Sequence, residues 1–342
     1  MSDPRPGRVR RSLSYLRGKA SSRAAHVAFA GGSIIAGVVV VGLAVRHLRS
    51  TPMPFTHGRP VLLVAVALLF LVAFLLKAMG WARLFHSPER PGPVSLAAAG
   101  GGATIMGIVL PGRFDELVRI AIVRRFPGCP APVKTICLSL VTLGLIDSAA
   151  LAPFSIVASA WPGNSVGVRI GFAVVGAGGI LAAGIVVALP HFARSERLVR
   201  YRIVRWLAPR ATPFRGATES WALVSLSWLV RATALTLLLA ALGLGFSFPL
   251  AMMFLCAGAA AAALPIALGG AATQIGAGAT LLVVSGIGAT EAVGFALAAQ
   301  TLLIVSGAAV LFLAVTFKTT GWLVGVTAPH LVALRTSRLT LP

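Results

Sequence analysis

The feature that most constrains this chain is a series of apolar runs, each close to the length of one bilayer crossing. A hydrocarbon core of about 30 Å takes about 20 residues of helix at 1.5 Å each. Runs that reach this length are Ala24–Val45, Pro60–Leu76, Thr135–Ala158, Val168–Leu189, Ala222–Leu244 and Ala292–Phe317. With these set aside, no stretch remains long enough to form a water-soluble domain. Charged residues make up only 11% of the chain, against about 25% in soluble domains. The spacing predicts an all-α fold: a polytopic membrane helical bundle of about 6–8 spans.

The charge is one-sided, with 30 Lys and Arg against 8 Asp and Glu. In a soluble chain that excess would point to nucleic acid. Here the basic residues fall between apolar runs, which points to a membrane surface and excludes a nucleic-acid partner. Three stretches hold most of them: the N-terminal arm before Ala24, the segment Arg113–Lys134 and the loop Pro190–Ser220. By the positive-inside rule all three lie in the cytoplasm. The expected organisation is a basic cytoplasmic arm (1–23), a single transmembrane domain (24–329) and a short cytoplasmic tail (330–342). Both termini then lie on the cytoplasmic side of the cell membrane.

Two apolar regions are interrupted. Val94–Leu110 is short, contains Gly100-Gly101-Gly102 and ends at Pro111-Gly112. Keeping the basic segment after it inside requires this region to enter and return as a re-entrant segment. Pro249–Val284 is broken between Leu264 and Gly270 by Pro265, Gly269 and Gly270. It reads as two full spans or as one re-entrant hairpin. Broken apolar segments, one in each half of a chain, mark substrate sites in many transporters.

The most informative residues follow the first break. A new helix is expected near Phe114, and its free N–H groups favour an anion. Arg113 stands beside that terminus. Asp115 and Glu116 occupy the first turn, where carboxylates are stabilised, and both can reach Arg119, at i+4 and i+3. Arg113, Glu116 and Arg119 are therefore candidates for holding a phosphate head group; a capped interfacial helix with ordinary ion pairs is the plainer alternative. Deeper in the bundle, Asp147 and Arg231 lie near the middles of their spans. Each unpaired charge there costs about 2.5–3.5 kcal/mol or more, so the two are expected to form a pair or to line one polar path. Gln274 follows the second break and can satisfy freed backbone groups or face the same interior, as can Gln300. Lys77 and Arg169 lie near span ends, where long side chains reach the interface.

Other chemistry is missing. Asp115 and Glu116 are adjacent and do not share a helix face, so no spaced carboxylate pair exists for glycosyl transfer. No Walker A, HExxH, GxSxG or DxD pattern occurs. Cys129, Cys137 and Cys256 show neither CxxC nor metal-ligand spacing, and read as small packing residues. No cofactor, metal or catalytic residue is expected, and the chain is not read as an enzyme.

Leu110-Pro111-Gly112-Arg113 with Glu116 and Arg119, then Asp147, then Pro265, Gly269 and Gly270 before a span near Glu291, resemble the lysylphosphatidylglycerol synthase transmembrane region family, also described as flippase-like integral membrane proteins. The similarity runs from about Ala24 to Phe317, without the aminoacyl-transferase domain of full-length synthases. It implies a protein that moves a phospholipid or lipid-linked group between leaflets. The implied partners are anionic or aminoacylated lipids and a separate lipid-modifying enzyme. The alternatives are a membrane transferase for lipid-linked substrates, or a non-catalytic anchor for a separate synthase or glycosyltransferase.

Overall fold

The structure is a computed structural model that describes residues 59–107, 114–126, 131–161, 164–194, 214–263 and 270–336. These residues fall in one unit of the chain, Met53–Pro342. The predicted first span, Ala24–Val45, lies outside them, as do Pro111, Gly112, Arg113, Pro265 and Gly269.

The described chain is helical throughout its regular structure. In order, the helices are α1 (Pro60–Ala82), α2 (Pro93–Met106), α3 (Phe114–Arg125), α4 (Val133–Ser159), α5 (Val166–Arg194), α6 (Phe214–Ala241), α7 (Phe248–Ala263), α8 (Gly270–Val284) and α9 (Ala289–Thr336). Among the described residues, five helices are long and apolar enough to cross a membrane: α1, α4, α5, α6 and α9. They match the five predicted runs that the structure describes. A polytopic helical bundle is therefore the fold.

The interrupted regions form shorter helices. α2 has 14 residues, about 21 Å of helix, which is less than a hydrocarbon core. Pro249–Val284 resolves into α7 and α8, of 16 and 15 residues, again short of a full crossing. Proline in the first turn starts α1 and α2, where its missing N–H costs nothing. Glycine ends α6 and α8. Gly243 (φ 78°) and Gly286 (φ 93°) take left-handed conformations that other residues adopt with strain. The following amides, Leu244 and Ile287, reach back to the Leu239 and Leu282 carbonyls at 2.9 and 3.1 Å, so orphan carbonyls of the last turn are satisfied.

Helix pairs approach through small residues. α2 and α9 meet where Gly101 faces Gly307, and a Cβ on Gly101 would overlap the Gly307 carbonyl. α4 and α5 meet where Gly179 lies against the Ser148 carbonyl and Ala152. α1 packs chiefly on α6, tied by the Ser227 hydroxyl donating to the Ala73 carbonyl at 2.9 Å. The Ser306 hydroxyl of α9 donates to the Ala67 carbonyl at 3.3 Å. These contacts suit a medium in which apolar surface gains little from association and close backbone packing does the joining. The outward faces agree. Val61, Val64, Leu68, Val72, Leu75 and Met79 form one exposed stripe along α1, a surface that water would disfavour and lipid accepts.

Candidate functional site: a charged cavity inside the bundle

α1 runs between two buried apolar clusters. Phe74 and Trp81 belong to one, with Ile146 and Val224; Phe70 belongs to the other, with Leu238 and Phe295. Beside α1 the helices leave a cavity of about 380 Å³. All the helices except α5 contribute to its wall. The four helix ends that flank the two sequence breaks converge on it: Gly107 follows α2, Asp115 opens α3, Gly258 and Ala259 lie near the end of α7, and Gln274 lies near the start of α8.

Six charged side chains line this cavity: Lys77, Asp115, Glu116, Arg119, Asp147 and Arg231. Of the two arrangements expected for Asp147 and Arg231, a pair or a shared polar path, the structure has the second: both line the cavity without pairing to each other. Asp147 forms its ion pair with Lys77 of α1, and its other oxygen accepts the Trp228 indole N–H at 3.2 Å. Arg231 lies outside ion-pair distance of Asp147 and is instead flanked by two rings. Its guanidinium carbon is 5.3 Å from the Trp228 centroid and 5.5 Å from that of Phe74, within cation–π range. Its Nε is buried without a hydrogen-bond partner.

Lys77 holds this place because α1 continues past Leu76 to Ala82. The residue that closes the apolar run therefore lies inside the helix, not at its interface. Its ammonium also lies 5.8 Å from the Trp228 ring. Trp228 is thus common to all three charges, hydrogen-bonded to Asp147 and facing both cations. One turn beyond Lys77, the Trp81 indole donates to the Ser139 hydroxyl at 2.9 Å, which ties α1 to α4.

At the α3 end, Arg119 pairs with Glu116 at 3.2 Å and with Asp115 at 3.5 Å. These are the i+3 and i+4 spacings read from the sequence. Asp115 and Glu116, although adjacent in sequence, both line the cavity, and both carboxylates are drawn to Arg119, four and three residues on. Gln274 and Gln300 also line the cavity. Arg113 and the two break segments lie outside the described residues. Gly270 opens α8.

The arrangement has a definite chemical capacity. A guanidinium in contact with aromatic rings, and with no described carboxylate in ion-pair distance, keeps N–H donors available. That geometry suits the oxygens of a phosphate, which Arg binds through paired N–H donors. The described residues contain no cluster of His, Cys, Asp or Glu able to hold a metal. Cys137 and Cys256 are free thiols, and Cys256 is buried.

A family model described as "Lysylphosphatidylglycerol synthase TM region" matches residues 27–310. No curated protein and no solved structure matches the chain.

Proposed function

The chain belongs to the lysylphosphatidylglycerol synthase TM region family, and on that footing we propose that it is a flippase-like protein carrying a phosphate-bearing lipid head group between leaflets. One observation carries the reading: Arg231 lies at the wall of a cavity inside an apolar bundle, beside the Phe74 and Trp228 rings and outside ion-pair distance of any described carboxylate. Arginine at membrane depth is costly, and a purely structural role would be served better by pairing it. A phosphate of a passing head group would give Arg231 an ion partner at contact distance.

The cavity volume of about 380 Å³ falls in the range of ligand pockets, about 300–1,000 Å³. It suits a head group, with the acyl chains left in the bilayer. In this account Lys77 and Asp147 hold the middle of the path open as a neutral pair. Arg119, with Asp115 and Glu116, forms a second charged station where α3 begins. The three basic stretches of the sequence orient the chain with both termini in the cytoplasm and attract anionic lipid to that face. Anionic or aminoacylated phospholipids, supplied by a separate lipid-modifying enzyme, are the proposed cargo.

A membrane transferase would use Asp147, Asp115 or Glu116 as a base. Asp147 already accepts from Lys77 and Trp228, which suits positioning better than proton abstraction. The test is reconstitution of the full chain into liposomes containing head-group-labelled phosphatidylglycerol. Protein-dependent redistribution between leaflets, with no turnover in detergent, supports transport. Turnover in detergent without a second leaflet overturns it in favour of the transferase.

A further inference from the structure

We propose that the cavity opens sideways to the bilayer at Gly144 and Ser148 of α4, and that a phospholipid enters there with its head group inside and its acyl chains outside. The inference rests on the transport reading above and adds the route by which the ligand reaches the site.

Most residues that line a closed cavity are shielded from the outside. Gly144 and Ser148 line this one and are also exposed. A Cβ built on Gly144 meets nothing within 4 Å, so its missing side chain leaves a gap and not a helix contact. This separates it from Gly101 and Gly179, whose added Cβ atoms would strike neighbouring backbone. Ser148 keeps its hydroxyl out of the gap by donating to the Gly144 carbonyl at 3.1 Å. One turn before Gly144, Val141 is 63% exposed, so the outer side of this rim is lipid-facing. One residue before Ser148, Asp147 lies in the cavity wall. The rim thus joins an apolar exterior directly to the charged interior.

The position fits a lipid and not a water-borne anion. Gly144 and Ser148 flank the centre of the 27-residue α4, where a spanning helix is surrounded by hydrocarbon. Each methylene withdrawn from the bilayer costs about 0.8 kcal/mol, so the chains of a passing lipid stay outside. A slot of small residues lets them do so while the phosphate meets Arg231, whose buried Nε lacks a partner.

The test uses two photoreactive phosphatidylglycerols in nanodiscs with the full chain, one carrying a diazirine on the head group and one at mid-acyl chain. A soluble diazirine-bearing glycerol phosphate serves as the third probe. Mass spectrometry maps the labels on the wild type, Gly144→Ala and Gly144→Trp. The head-group probe is expected to label cavity residues in the wild type and Gly144→Ala, and to lose that labelling in Gly144→Trp. The acyl probe is expected to label the Val141–Ser148 face of α4. The soluble probe does not depend on the bilayer-facing rim and is expected to label the cavity equally in all three proteins, which shows that the tryptophan variant is folded. Cavity labelling by the head-group lipid that survives Gly144→Trp overturns the portal and leaves the transport reading standing. Cavity labelling by the soluble probe alone, in the wild type, overturns both. Loss of soluble-probe labelling in Gly144→Trp transfers the comparison to Gly144→Leu, where undiminished head-group labelling overturns the portal.

Discussion

Asp147 of α4 takes its ion pair from Lys77 of α1 and leaves Arg231 in cation–π range of Trp228 and Phe74. Lys77 and Asp147 are thus held as an ion pair, while Arg231 has no ion-pair partner among the described residues and is, in the proposed account, the group that meets the head group.

Removing one member of the Lys77–Asp147 pair leaves a charge in a part-buried site. Breaking a buried pair costs about 3–5 kcal/mol. Here the side chains keep 19% and 24% of their exposure, so the loss should sit at or below the low end of that range. Lys77→Met and Asp147→Asn should each lower the apparent melting temperature in detergent, and the double variant should lose less than the sum. The same cycle between Asp147 and Arg231 should give a smaller coupling.

Trp228→Phe keeps a ring beside Arg231 but removes the N–H that donates to Asp147 at 3.2 Å. A hydrogen bond to a charged group is worth about 1.5–3 kcal/mol. The variant should be destabilised by no more than that, and should retain more lipid redistribution than Arg231→Gln. Thermal unfolding and the leaflet assay check the two parts separately.

Glycines in this bundle differ in what they permit. Gly101→Ala places a methyl against the Gly307 carbonyl, and overpacking of this kind costs about 1–3 kcal/mol. It should lower the melting temperature clearly. Gly144→Ala, which meets open space, should leave it nearly unchanged.

Arg231→Lys preserves the charge and discards the planar fork. Lysine is a compact, strongly hydrated cation and stacks poorly between rings. The variant should therefore retain only part of the wild-type redistribution rate, between wild type and Arg231→Gln.

Much of the fold was legible because apolar length is a strong signal. Thr135–Ala158 became α4 with one or two residues added at each end, and Ala292–Phe317 lies within α9. The two breaks were visible as proline and glycine inside apolar sequence. The site was legible only in part. Asp147 and Arg231 stood out as charges at depth, and Arg119 with its two carboxylates followed from helical spacing. Lys77 did not, because an apolar-window reading stops at the first charge and so used Lys77 as a boundary. The signal was there: Ala78-Met79-Gly80-Trp81-Ala82 continues apolar for another turn. Trp228 precedes Arg231 by three residues on α6, so that contact lay within reach of helical spacing. The contact with Phe74 could not be read, since it joins α1 to α6 across a helix crossing that no local pattern encodes.

The most direct test of the central claim is the leaflet-exchange rate of head-group-labelled phosphatidylglycerol in liposomes, with wild type and Arg231→Gln reconstituted at equal density. The account predicts protein-dependent exchange for the wild type and a fall to the protein-free rate for Arg231→Gln, with the variant still folded by its melting curve. Equal exchange by the two proteins would contradict it.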